Sequence, residues 1–169
     1  VAASATANGV AAETDLTIST TDAAGSVQTT APISYAANAG ANVIAGAINT
    51  AGAGAGVTAT ATNSATLSGL SAGGTVTFTL NTQTNTTNPP NGTFTPVSAS
   101  ISAVVTNQSD LSSLVSAING QQSTTGITAE FSSAGDKSSI TLKTLDGRNI
   151  GIGAFASDAA LNQTVSFSG

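Results

Sequence analysis

The sequence predicts an α+β fold, mostly antiparallel β with two short helices, built as two related strand–helix–strand–strand modules. Three observations lead there. Ser and Thr fill roughly a third of the chain, charged residues make up only 7%, and Trp, Met and Cys are absent. β-Branched side chains are stiff at χ1 and fit a pleated surface, so a Thr- and Val-rich chain with few charges favours strands. Apolar and hydroxyl residues alternate along several short stretches, the period of a half-buried strand. The chain also repeats itself. Ala47-Ile48-Asn49 and Gly56-Val57-Thr58-Ala59 recur as Ala117-Ile118-Asn119 and Gly126-Ile127-Thr128-Ala129, both at one offset of seventy residues. Self-similarity of this kind marks a reused supersecondary unit.

In the first copy, Leu16-Thr17-Ile18-Ser19 reads as a leading strand. A helix over about 40–49 places Ala41, Ile44, Ala45 and Ile48 on one face, a thinner stripe on a shorter helix than that of the second copy. Gly56 to Ala59 then reads as a strand. Between helix and strand lies the glycine run Gly52-Ala53-Gly54-Ala55-Gly56. A phosphate loop needs a Lys and a Ser or Thr beside its glycines. Here Val57 follows, and the nearest Lys is Lys137. The second copy fills the same slot with Gln121-Gln122-Ser123-Thr124-Thr125, so the run reads as a connecting loop.

The second copy is clearer. Thr75 to Leu80 alternates and reads as its leading strand, followed by a turn-rich loop over 85–92. Two triplets in that region, Asn85-Thr86-Thr87 and Asn91-Gly92-Thr93, match the N-glycosylation acceptor pattern, which polar tracts also generate by chance. Ser98 to Val105 alternates, with Ile101, Ala103 and Val105 on one face. Ser109 is placed to cap a helix over 109–119, with Asp110 in its first turn. Leu111, Leu114, Val115 and Ile118 fall at i, i+3, i+4 and i+7. Asn119-Gly120 supplies a left-handed residue to stop it. Strands Gly126 to Phe131 and Ser139 to Thr144 follow, joined by a turn at Ala134-Gly135-Asp136. Val165 and Phe167 alternate in a closing strand within 161–168, for which the segment up to Ile18 is the expected partner. The modules divide as 1–72 and 73–169, or fuse into one domain.

Composition removes whole classes of chemistry. The net charge of −5 and three cations in total argue against nucleic acid. No apolar run is long enough to span a bilayer, and Val1-Ala2-Ala3-Ser4-Ala5 carries no basic n-region of a signal peptide. With neither Cys nor His, disulfides, Cys or His zinc sites, thiol nucleophiles and a Ser-His-Asp triad are excluded. Eight acids remain: Glu13, Asp15, Asp22, Asp110, Glu130, Asp136, Asp146 and Asp158, scattered singly. Asp136 and Asp146 flank a strand and read as turn residues; a glycosidase pair or a calcium site built on these two is the alternative. Tyr35, Phe94 and Phe155 are the candidates for an aromatic binding surface, with a place in the core as the competing reading. No residue is assigned a catalytic, cofactor-binding or metal-binding role.

Residues 110–152, DLSSLVSAINGQQSTTGITAEFSSAGDKSSITLKTLDGRNIGI, resemble a short motif of the outer, variable region of bacterial flagellins and of filament-cap and hook-associated proteins. The motif pairs a Leu-rich helix ending in Ala-Ile-Asn with a Gly-(Val/Ile)-Thr-Ala strand and an (Ile/Leu)-Thr-Leu strand. It closes on a Thr-x-Asp-Gly-Arg-like turn, here Thr144-Leu145-Asp146-Gly147-Arg148. The first copy fits from Ile33 to Leu67 but lacks the Asp-Gly-Arg ending. Nothing in the sequence resembles the long terminal helices through which flagellins polymerise. The resemblance therefore implies the central portion of a subunit: a structural, extracellular outer domain without enzyme activity or cofactor. Its partners would be other flagellin subunits, met through regions absent from this chain. A cap or hook-associated role, and an adhesin-like module for glycans or host surfaces, are the alternatives. Charge and hydropathy leave no nucleic-acid or membrane partner expected, and the resemblance implies a monomeric fragment with both chain ends at one pole. The abundant Ser and Thr are candidate O-glycosylation acceptors, although plain solvation and β-propensity are the favoured account of them.

Overall fold

Alternating apolar and hydroxyl residues become strands, and the leucine stripe becomes a helix, in the computed structural model, which describes residues 9–85, 94–158 and 164–169. In chain order the elements are β1 (Glu13–Leu16), β2 (Ser19–Thr21), β3 (Val27–Thr29), β4 (Ile33–Tyr35), α1 (Ala41–Gly52), β5 (Asn63–Ser68) and β6 (Gly74–Asn85). They continue as β7 (Phe94–Val105), α2 (Ser112–Asn119), α3 (Gln122–Thr125), β8 (Thr128–Ser133), β9 (Asp136–Thr144), β10 (Gly151–Ser157) and β11 (Ser166–Ser168). Strands pair antiparallel in a three-stranded sheet, β10-β6-β7, a four-stranded sheet, β11-β5-β9-β8, and the two small pairs β1-β4 and β2-β3. The fold is α+β and mostly antiparallel β.

One core joins the two larger sheets to α2. Val76, Phe78 and Leu80 of β6 and Ile101, Ala103 and Val105 of β7 enter it from one sheet. Ala65 and Leu67 of β5, Ala129 of β8, and Ile140 and Leu142 of β9 enter it from the other. Leu111, Leu114 and Ile118, all fully buried, bring in the helix. Each such side chain removed from water stabilises the fold by about 1.5–3 kcal/mol. On the reverse face of β6 and β7, Thr75, Thr77 and Thr79 are half-buried and Ser98, Ser100 and Ser102 exposed. Period-two alternation thus sorts apolar groups inward and hydroxyls outward.

The structure corrects several local expectations. Thr17 and Ile18 lie between β1 and β2, so the expected leading strand is split in two. Ser109 does not cap α2. The N-cap position falls to Leu111, which offers no side-chain cap, because the chain first turns at Asn107, whose carbonyl accepts from the Asp110 amide. Asp110, one residue before the cap, accepts from the Ser112 amide at 3.0 Å. Gly120 is right-handed, φ −61° and ψ −21°. The chain winds on through α3, and the left-handed residue is Gly126, φ 67°. The slot expected to be a connecting loop is therefore partly helical: α3 in the second copy, the last turn of α1 in the first.

The two helices also bury different faces. In α1, Val43, Ala45 and Ala47 are buried, while Ala41 is exposed and Ile44 and Ile48 are half-buried. A helix turns about 100° per residue, so packing on β4 instead of on β7 and β8 is enough to choose another stripe. Gly56 to Ala59 forms no strand, and the strand of that region is β5. β5 comes from the first predicted module yet pairs with β9, Ala65 opposite Leu142 and Leu67 opposite Ile140. The closing strand β11 pairs with β5, not with the amino-terminal segment. The turn-rich loop from 86 to 93 and residues 1–8 and 159–163 lie outside the described residues, and so does the expectation that Val1 and Gly169 share a pole.

Leu114 is fully buried at the centre of the α2 stripe. Leu114→Ala is expected to cost about 2–5 kcal/mol, the range for a buried Leu truncation. Urea denaturation measures it, and a neutral result would mean that the stripe does not face a core.

Candidate functional site

The feature common to the two copies is a clamp made by one asparagine. Asn119, the last residue of α2, donates from Nδ2 to the carbonyl of Ala129 at 2.9 Å and accepts on Oδ1 from the Ala129 amide at 2.7 Å. Asn49 of α1 does the same to Ala59, at 2.8 and 2.6 Å. A carboxamide carries one donor and one acceptor side by side, which is what one extended residue offers in return. Asp lacks the donor, so the pattern asks for Asn. Ala129 lies on β8, the edge strand of the four-stranded sheet. Its outward peptide groups would otherwise be an open template for another chain. Asn119 stands where the next strand would be.

Three further equivalences hold at the same offset of seventy residues. Gly56 and Gly126 are both left-handed, φ 66° and 67°, and turn the chain back toward the clamp. Ala55 and Thr125 before them are both buried. Their carbonyls are each met by a side-chain donor: Ala55 by the Thr20 hydroxyl at 2.9 Å, Thr125 by the Arg148 guanidinium at 3.1 Å. The glycine run thus starts from the last residue of α1, at a helix C-terminus. Carbonyls gather at that end, and an anion requires the other one.

Arg148 belongs to the turn Thr144-Leu145-Asp146-Gly147-Arg148, and the turn ties the two copies together. Its guanidinium donates to Asp146 Oδ2 at 2.7 Å through Nε and lies over Gly126, where an added Cβ would fall 2.8 Å from Cζ. The Arg148 carbonyl accepts from Asn63 at the start of β5 at 3.2 Å. Gly147 is left-handed, φ 70°, and any Cβ there would lie 2.4 Å from that of Ala61. Only glycine fits. The Gly147 carbonyl accepts from the Asn42 amide in the first turn of α1. Leu145 at the turn's outer corner is 86% exposed.

The carboxylates are dispersed among backbone duties. Glu13 accepts from the Thr14 amide, Asp22 from Ala24 and Ser26, Asp136 from Ser138, Asp146 from Arg148, and Asp158 from Thr75 across the sheet at 2.6 Å. Glu130 pairs with Lys143, and Asp110 lies 3.7 Å from Lys137. Asp136 and Asp146, the sequence's candidate pair, each serve their own turn. Hydrogen bonds from the Ser112 hydroxyl and amide hold Asp110 below the ordinary carboxylate range, and those from Ser138 do so for Asp136. Bonds from Thr75 lower Asp158, and main-chain bonds from Thr14 and Asp15 lower Glu13. At Asp146 partial burial pushes upward, and the Arg148 hydrogen bonds and charge outweigh it, so it too is lowered. Such groups stay ionised, the opposite of what a general acid needs.

Of the aromatic candidates, Phe155 stacks on Phe78 with ring centroids 6.5 Å apart at the core margin, and Tyr35 is half-buried on β4. The Phe94 side chain lies outside the described residues. Among the described residues no three acidic groups gather as a metal site, and no helix is long and apolar enough to cross a membrane. No protein-family model and no curated protein matches this chain.

Two outcomes are expected. Removing the clamp by Asn119→Ala strands the peptide groups of buried Ala129 and costs about 1–3 kcal/mol, whereas Asn49→Ala, where water reaches half-buried Ala59, costs about 0.5–1.5 kcal/mol. Equal, negligible losses in urea melts would contradict the clamp. Because the carboxyl pKa values are depressed on folding, their stabilisation is complete above the ordinary carboxylate range. It is lost as pH falls through the folded values, so stability should be flat from about pH 5 to 8 and drop below about pH 4. Asp146→Asn should flatten that acid limb, as thermal melts across pH would report.

Proposed function

We propose that this chain is the outer domain of a bacterial flagellar filament subunit, a structural, extracellular element of the filament surface that carries out no catalysis. What supports the reading is the clamp itself. Ala-Ile-Asn and Gly-(Val/Ile)-Thr-Ala, the segments that carry the resemblance to flagellins, are the segments whose Asn and Ala pair, twice. The motif's remaining signature, Asp-Gly-Arg, is the turn that joins the copies. An export-competent subunit that passes through a narrow channel unfolded benefits from local closures of this kind. A ten-residue loop closes fast and at small entropic cost, and neither closure needs a disulfide or a metal. The hydroxyl-rich outer faces suit a surface bathed in water. Other subunits would be met through segments outside this chain, with no nucleic acid and no membrane as partner.

A filament-cap or hook-associated protein is the nearest alternative, since the same motif occurs there, and a glycan- or host-binding module is the more distant one. Immunogold labelling with antibodies raised against this domain separates them on the cells that encode it. Gold along the whole filament is the expected result. Gold confined to the tip or the hook junction selects the alternative, and gold on the cell body alone overturns the flagellar reading.

A further inference from the structure

We propose that Asn119 is a conformationally gated modification site, shielded from deamidation by the closed clamp and exposed to it whenever the second repeat opens. The residue is followed by Gly120, whose main-chain nitrogen carries no neighbouring Cβ to hinder it. In an open chain that nitrogen attacks the Asn119 Cγ and a C–N bond forms. The side-chain nitrogen, having taken up a proton, leaves as ammonia, and a five-membered succinimide remains. Water then opens either of the ring's two C–N bonds, giving aspartate or isoaspartate. The balance is one water consumed and one ammonia released, with no oxidant or reductant.

The folded state blocks each requirement. Gly120 is helical, and its N–H donates to the Ser116 carbonyl at 2.9 Å. Both atoms of the Asn119 carboxamide are engaged by Ala129. Once the reaction has happened, the clamp cannot close again. Where Nδ2 donated to the Ala129 carbonyl at 2.9 Å, aspartate presents a second acceptor oxygen to an acceptor oxygen. Isoaspartate reroutes the main chain through the side chain. The first copy is built the same way but ends in Asn49-Thr50, whose β-branched residue crowds the attacking nitrogen. Only the second repeat therefore records its openings, irreversibly.

The test incubates the intact protein, folded and in urea, at mildly alkaline pH. Peptide mapping by mass spectrometry then follows Asn119 separately from Asn8 and Asn91, which also precede glycine. Modification at Asn119 should be slower by about tenfold or more in the folded protein, following the free energy of local opening. Gly120→Ala is the control, because the position is right-handed and an added Cβ would meet nothing nearer than 3.4 Å. It should keep the fold and suppress the reaction in urea. The deamidated fraction, isolated and refolded, should melt at lower urea than the intact fraction, as should Asn119→Asp. Equal rates in folded and unfolded protein would overturn the proposal, and so would a deamidated fraction as stable as the intact one.

Discussion

Everything distinctive in this fold depends on one constraint: a peptide N–H and C=O that face away from their own sheet must find partners. At Ala129 the strand is the last of its sheet, and at Ala59 there is no strand at all. In both places an asparagine ten residues earlier supplies the missing pair. That one contact fixes how far the following loop can wander and which way the returning chain faces. The left-handed glycines, three residues before each clamped alanine, let the chain double back within that length.

The clamp also explains why a Gly- and Ala-rich segment and a Gln-, Ser- and Thr-rich one occupy the same slot. Between clamp residue and glycine the chain needs only to wind helically and to bury a small side chain, Ala55 or Thr125. Many sequences do that. The carbonyl left over at the end of the winding is the second obligation, and the two copies meet it with different donors, Thr20 and Arg148. Since Arg148 rides on a turn that also holds Asn63 and Asn42 through main-chain carbonyls, the answer in the second copy reaches into the first. The lowered carboxyl groups belong to the same account, because each is held by donors that the backbone or a neighbouring side chain must place somewhere.

Much of this was legible in the residues. The alternation of Val76, Phe78 and Leu80 and of Ile101, Ala103 and Val105 announced β6 and β7, and the leucine spacing announced α2. The repeat pointed to Asn49 and Asn119 by position, though not to their bonding, since a sequence match says nothing about which peptide a side chain meets. Expectations failed where tertiary contact decides. Ile44 was expected inside, yet the surface of α1 that faces β4 carries Val43 and Ala47. Asn119-Gly120 does end α2, but Gly120 is right-handed, and the chain winds again as α3 before the left-handed Gly126. Pairing of β11 with β5 joins residues about a hundred positions apart, and no local pattern encodes such a choice. Leu145 follows the alternation of β9: Ile140, Leu142 and Thr144 are buried, and Leu145, the next position, faces out.

The most direct test is amide hydrogen exchange at Ala59 and Ala129, read residue by residue in the parent protein and in the two single variants Asn49→Ala and Asn119→Ala. If each asparagine closes its own copy, Ala59 loses protection only in the first variant and Ala129 only in the second, while the amides of Leu67 and Ile140 in the shared sheet stay protected in both. Protection at Ala59 and Ala129 that survives the loss of its asparagine would contradict the account, because some other contact would then be closing the repeat.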